Sequence, residues 1–208
     1  EGEKMVQEAI ASDLEVVSIY RKEDIGEEVM SRITLLSSPS PVLAVVKKPL
    51  FCEGTNNIGG VSLALDSVRD PGNMGTILRI ADWFGIERVF CSRDCVELYN
   101  PKTVQSSMGA IFRKKVIYTE LTSLIEEYSK KNVPVYGTFL DGNNIYSENL
   151  EKDNCLIVMG SENNGISDPV SKLISNRILI PPYPADTRSS ESLNVAIATA
   201  IVCSEFRR

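Results

Sequence analysis

Apolar positions along the chain fall into short runs separated by polar turns, and their spacing predicts an ordered series of helices and strands. From Lys4 to about Ala11, KMVQEAIA has helical spacing, while LEVVSIY and PVLAVVKK are apolar, β-branched runs that predict strands. A second helix is expected between them, from Asp24 to Met30. The Gly/Asn cluster CEGTNNIGG, Cys52 to Gly60, then marks a linker. Beyond it come the strands VSLALD, RVFC, KKVIY, VPVYGTF, CLIVMG and RILI. Helices are expected between or after them at Gly72–Phe84, near Thr103, at Ser123–Ser129, after Asp168 and from Ser192 onward. Strands alternating with helices predict an α/β fold with a mostly parallel sheet. The chain therefore divides into a small α/β domain over residues 1–54 and a larger one over 55–208.

Three strand ends carry unusual polar residues. In LIVMGSENNGIS, Leu156 to Ser167, four apolar residues run into Gly160, Glu162, two asparagines and Gly165, the pattern of a buried strand opening into a tight loop. In LDSVRDPGNMGTILRIADWFGI, Asp66 ends a strand, DPGNMG turns, and Arg79 sits among the apolar positions of the following helix. Arg79 either snorkels to the surface or faces a ligand at the C-terminal edge of the sheet, and Asn73 either caps the helix or faces the same ligand. In ILIPPYPADTRSSESLNVAIATAIVC, a strand stops at Pro181, and Ser192 stands as N-cap of a slim apolar helix.

Composition narrows the chemistry. The 208 residues are 43% hydrophobic, yet no apolar run approaches the roughly 20 residues that span a bilayer, so no membrane partner is expected. The chain starts at Glu1 with no basic leader before an apolar core, so no secretion signal is expected. Five cysteines without a framework spacing favour reduced thiols and the cytoplasm. CSRDC, Cys91 to Cys95, reads as ordinary thiols at a strand end, and no metal is expected. The absence of histidine excludes Ser/His/Asp and Cys/His catalysis. No dinucleotide or P-loop fingerprint is present, so GSENNG is not a phosphate loop. The net charge of −6 weighs against a nucleic-acid partner unless positive charge is gathered locally.

Taken together, the three stretches resemble the SpoU (TrmH) family of RNA ribose 2′-O-methyltransferases, within the SPOUT class. Asp70, Pro71, Asn73, Gly75 and Arg79 match its first motif, and Gly160, Glu162 and Gly165 its second. Ile180, Pro181, Ser192, Leu193 and Asn194 match the third. The likeness runs from about residue 61 to the end, and the loop from Ile180 to Ser192 is several residues longer than the family's usual one. The first 54 residues resemble, more loosely, the family's ribosomal-protein-like RNA-binding extension without its first part.

The resemblance implies a deep C-terminal trefoil knot holding S-adenosylmethionine, and no metal. Thr138, Gly160, Ile180 and Leu193 would bind the cofactor, with Gly160 placed where a side chain would collide with it. Arg79, Asn73, Glu162, Ser192 and Asn194 would form the catalytic set. Arg79 would act as base or, as preferred here, bind the phosphate beside the reacting ribose; Ser192 and Asn194 would position the nucleotide, and Glu162 would hold Asn73 or the loop. A homodimer would pool Arg69, Arg79, Arg113, Lys114 and Lys115 into one basic face. Ribosomal RNA is the favoured substrate. The alternatives are transfer RNA, a non-catalytic RNA-binding or ribosome-assembly module on the same fold, and an α/β enzyme using another nucleotide cofactor.

Overall fold

The computed structural model describes residues 1–49, 58–184 and 192–208. The expected boundary at 54/55 and most of the expected linker lie outside those residues.

The first part folds as α1 (Glu3–Ile10), β1 (Val16–Arg21), α2 (Lys22–Ile25), α3 (Glu27–Ile33) and β2 (Val42–Val46). Strands β1 and β2 pair antiparallel, and α1 packs on β2. The helix expected at Asp24–Met30 is instead two short ones, because Gly26 between them takes a φ of 82°, outside helical space. Polar bonds tie this part to the rest of the chain. Gln105 Nε2 donates to the Glu1 carbonyl at 3.0 Å, and Arg113 bonds the Glu8 carboxylate. The Lys48 ammonium lies 4.9 Å from the centre of the Tyr99 ring.

The second part comprises β3 (Val61–Leu65), α4 (Pro71–Trp83), β4 (Arg88–Cys91), α5 (Pro101–Ser107) and β5 (Lys115–Tyr118). It continues through α6 (Leu121–Lys130), β6 (Val135–Asn144), β7 (Cys155–Met159), α7 (Asp168–Ser171), β8 (Asn176–Leu179) and α8 (Val195–Phe206). The six strands form one sheet in the order β5-β4-β3-β7-β6-β8, and every pairing in it is parallel.

Strands β3 and β7 are buried at every position, which is why they read as unbroken apolar runs. Their alternate residues feed two cores. Leu63, Leu65, Ile157 and Met159 face α4 and α8, whereas Ala64, Leu156 and Val158 face α6 and α7. Phe206 of α8 packs edge-on to Tyr136, ring centres 5.0 Å apart, closing the first core. Strand order reverses between β3 and β7, the place where open α/β sheets bind ligands at their C-terminal ends.

Candidate functional site

A pocket of about 510 Å³ opens beside the middle of β6, at Thr138–Leu140, and the C-terminal ends of β7 and β8. Thr138, Gly160, Glu162, Ile180, Ser192 and Leu193, all singled out from the sequence, line it. Residues 185–191 of the long loop, which adjoin it in sequence, lie outside the described residues.

The floor of the site is the turn after β7. Ser161 and Gly165 exchange both backbone hydrogen bonds, at 3.0 and 2.9 Å, which closes the intervening residues into a tight loop. Gly165 takes a φ of 64°, in the left-handed region that suits glycine. The fold itself gives a reason for Gly160. A Cβ there would run into the backbone of Gly165 and Ile166, so the residue is small to let the loop fold back on itself.

Asp66 anchors this loop from the neighbouring strand. Its Oδ2 accepts from the Ser167 N–H at 2.7 Å, and its own N–H donates to the Met159 carbonyl at 2.9 Å. The sequence marked Asp66 only as a strand end. The segment after it is fixed by Asp94, which accepts from Ser67 Oγ at 2.7 Å, Arg69 Nη2 at 2.8 Å and Ser92 Oγ at 2.6 Å. The Ser92 hydroxyl, with Arg69 and Ser67, holds the Asp94 carboxyl well below the usual carboxylate range.

That segment delivers α4. Asp70 caps the helix, its Oδ1 accepting from the Asn73 N–H at 2.8 Å, with Pro71 in the first turn. This backbone hydrogen bond is the largest cause of a lowered Asp70 pKa. Asn73 therefore does not cap the helix with its side chain. Its Nδ2 donates to Glu162 Oε1, and its Oδ1 accepts from Asn194 Nδ2 at 3.1 Å.

Helix α8 begins at Val195, and its N-cap is Asn194 rather than Ser192. Asn194 Oδ1 accepts from the N–H groups of Ala196 and Ile197 at 3.0 and 3.3 Å. Ser192 and Leu193 stand before the cap, on the pocket wall. A directed chain results: α8 amides to Asn194, Asn194 to Asn73, Asn73 to Glu162. It joins the three polar strand ends noticed in the sequence.

Arg79 stands apart from that chain. It is exposed and makes no hydrogen bond or ion pair with another described residue. It lies six residues beyond Asn73, about 9 Å along the helix axis. The expected basic face is largely neutralised within the chain. Arg69 pairs with Asp94 at 2.8 Å, Arg113 with Glu8 and Asp82, and Lys114 with Asp82 at 3.1 Å.

Comparisons with known proteins converge on one group. The model of the SpoU rRNA Methylase family matches residues 60–204. The 23S rRNA (guanosine(2553)-2'-O)-methyltransferase RlmP of Bacillus subtilis is 29% identical over 222 residues, covering 100% of this chain and 87% of that protein. A Synechocystis tRNA/rRNA methyltransferase of uncharacterized status is 30% identical, covering 88% of this chain and 66% of its own. Among solved structures, a TrmH-family protein from Porphyromonas gingivalis superposes with a TM-score of 0.78 at 42% identity, covering 86% of this chain and 70% of its own. An AdoMet-bound rRNA methyltransferase from Sinorhizobium meliloti superposes with a TM-score of 0.84 at 25% identity, covering 100% and 85%.

Proposed function

This chain belongs to the SpoU rRNA Methylase family, and from that premise we propose that it is an S-adenosylmethionine-dependent RNA ribose 2′-O-methyltransferase acting on ribosomal RNA. The observation that carries the proposal is the pocket between the middle of β6 and the C-terminal ends of β7 and β8, with the Asn194–Asn73–Glu162 chain running to its rim. The preference for ribosomal over transfer RNA rests on the names of the Bacillus and Sinorhizobium relatives.

The pocket suits the cofactor. Its volume lies in the roughly 300–1,000 Å³ range of small-molecule sites, and it offers apolar walls beside backbone groups of a glycine-rich turn. Ile180 and Leu193 supply apolar wall, the Gly160–Ile166 turn supplies main-chain N–H and C=O groups, and Thr138 supplies a hydroxyl. When bound, S-adenosylmethionine supplies a methyl group already activated on sulfur. What is left to the protein is to align a ribose hydroxyl and assist loss of its proton, and alignment alone lowers such barriers by up to roughly 7–11 kcal/mol.

Arg79 is too basic to accept that proton and is suited to gripping phosphate with its planar fork. It holds the phosphate next to the reacting ribose and so orients the 2′-hydroxyl, and that phosphate assists proton removal. Glu162 and Asn194 fix Asn73 at the pocket rim, and Ser192 lies where it can meet the nucleotide.

The same reading makes the enzyme a homodimer in which Arg79 works at the partner's pocket. Support comes from the surface around it. Trp83, one turn beyond Arg79, is 85% exposed, and Leu193 and Ile197 are exposed at the start of α8, which packs on α4. The C-terminal part is a trefoil-knotted domain, and the first 54 residues are an RNA-binding domain, both on the family resemblance. The free thiols of the four described cysteines suit a cytoplasmic setting.

A thermal-shift comparison tests the cofactor assignment. S-adenosylmethionine at 100 times its Kd adds about 2.7 kcal/mol of stability. Stabilisation by NAD or ATP in its place would overturn the assignment.

A further inference from the structure

Strand β6 is longer than its partner requires. Thr138 and Asn143 both register with Ile178 of β8, so Phe139–Gly142 form an excursion that leaves the ladder and returns to it. Phe139 and Leu140 from this excursion line the pocket, and Leu140 is 77% exposed. Such a wall needs something to hold it, since the ladder does not.

The structure supplies one side chain that does so. Arg177 of β8 lies across the base of the excursion, its guanidinium carbon 3.4 Å from the centre of the Phe139 ring. Its Nη2 donates to Asp141 Oδ1 at 2.6 Å, and its Nη1 to Ser171 Oγ at 3.4 Å. Ser171 belongs to α7, the turn of helix that comes after the Gly160–Ile166 loop. One guanidinium thus joins the excursion to α7, the element that follows the pocket's Gly160–Ile166 loop in the chain. Gly142 completes the fit, because a Cβ there would collide with the backbone of Ile178.

We propose that Arg177 is a positioning residue for the cofactor pocket, holding the Phe139–Gly142 wall and the Gly160–Ile166 loop at a fixed separation through Phe139, Asp141 and Ser171. The inference rests on the assignment of this pocket to S-adenosylmethionine. Stacking on a ring while bonding two oxygens requires a flat cation with several N–H groups, which lysine cannot supply. Asp141 is solvent-exposed, yet its carboxyl is held below its ordinary range, first by the hydrogen bond from Arg177. Holding the two walls ready spares the ligand the cost of ordering them, which is how preorganisation raises affinity.

The test is calorimetric titration of S-adenosylmethionine into the full chain and its Arg177→Lys and Asp141→Asn variants, with steady-state methylation of ribosomal RNA alongside. Both variants are expected to raise the cofactor Kd and KM by about tenfold, while the KM for RNA stays within about twofold. Asp141→Asn alters an exposed side chain and keeps the proposal testable should Arg177→Lys fail to fold. Wild-type affinity in both variants overturns the inference and leaves the pocket assignment standing. A parallel rise in the RNA KM, with a lowered melting midpoint, also overturns it by showing general loosening. Failure of the wild-type chain to bind S-adenosylmethionine overturns the assignment beneath it.

Discussion

Replacing Asn194 separates two tasks that one side chain performs. Its Oδ1 caps α8 by accepting from Ala196 and Ile197, and its Nδ2 donates to Asn73. Asn194→Ala removes both, and loss of such a cap costs about 1 kcal/mol. For a chain of this size that is a fall of about 2–4 °C in melting temperature. Asn194→Asp keeps the capping oxygen and adds charge of the sign a helix N-terminus favours, so stability holds or rises by up to about 1 kcal/mol. The donor is lost, however, and a carboxylate then opposes Asn73 Oδ1. If the Asn73 amide turns to satisfy it, the Asn73 oxygen opposes Glu162 instead. Either arrangement forfeits one hydrogen bond and leaves an amide oxygen facing a carboxylate, a cost of about 1–3 kcal/mol, or roughly five- to a hundredfold in turnover if Asn73 must be held in place. Melting curves and steady-state methylation of ribosomal RNA on the same preparations measure both tasks. Wild-type turnover in Asn194→Asp would refute the directed chain, and an unchanged midpoint in Asn194→Ala would refute the capping role.

Gly160→Ala drives a Cβ into the Gly165–Ile166 backbone, so it should cost about 1–3 kcal/mol and weaken S-adenosylmethionine binding in the same preparation. Loss of binding at unchanged stability would instead point to a direct clash with the cofactor. Arg79→Lys should lower methyl transfer by orders of magnitude with cofactor affinity near wild type, read by kinetics beside calorimetry, because a lone ammonium cannot replace the fork. Near-normal turnover would mean that Arg79 merely reaches for solvent. Asp70 has a lower pKa in the folded chain than its ordinary value of 3.8, so the folded state binds fewer protons there. Its contribution to stability is complete above that value and is lost as pH falls through the folded one. Urea melts of wild type and Asp70→Ala should therefore differ at pH 7 and converge in acid.

Elements whose signal is local could be read from the sequence. The apolar runs of β3 and β7 declare strands buried on both faces, and the strand-end glycines and polar residues mark the site they border. Where two residues compete for one role, only backbone angles decide. Ser192 and Asn194 are both good caps, but Asn194 has the non-helical φ/ψ of −54° and 137° immediately before the helix. Asn73 was ambiguous for the same reason, since Asp70, three residues earlier, takes the cap. The excursion after Thr138 was hidden because its register is set by β8, and the sequence marks FLDGNN only by turn-forming residues. Asp66 and Arg177 act through partners 101 and 36 residues away, at Ser167 and Asp141, and no periodicity reports such pairs. The internal pairing of Arg69, Arg113 and Lys114 was equally invisible, and it leaves less free positive charge than the count of cations suggests.

The central claim is that this chain transfers a methyl group from S-adenosylmethionine to a ribose 2′-hydroxyl of ribosomal RNA. It is tested most directly by incubating the protein with ribosomal RNA and methyl-labelled S-adenosylmethionine, then digesting the RNA and separating its nucleosides. Label is expected in a single 2′-O-methylnucleoside, at a position where alkali no longer cleaves the chain, and none with Arg79→Ala. Label on a base, or no transfer to RNA under conditions where S-adenosylmethionine binds, would contradict it.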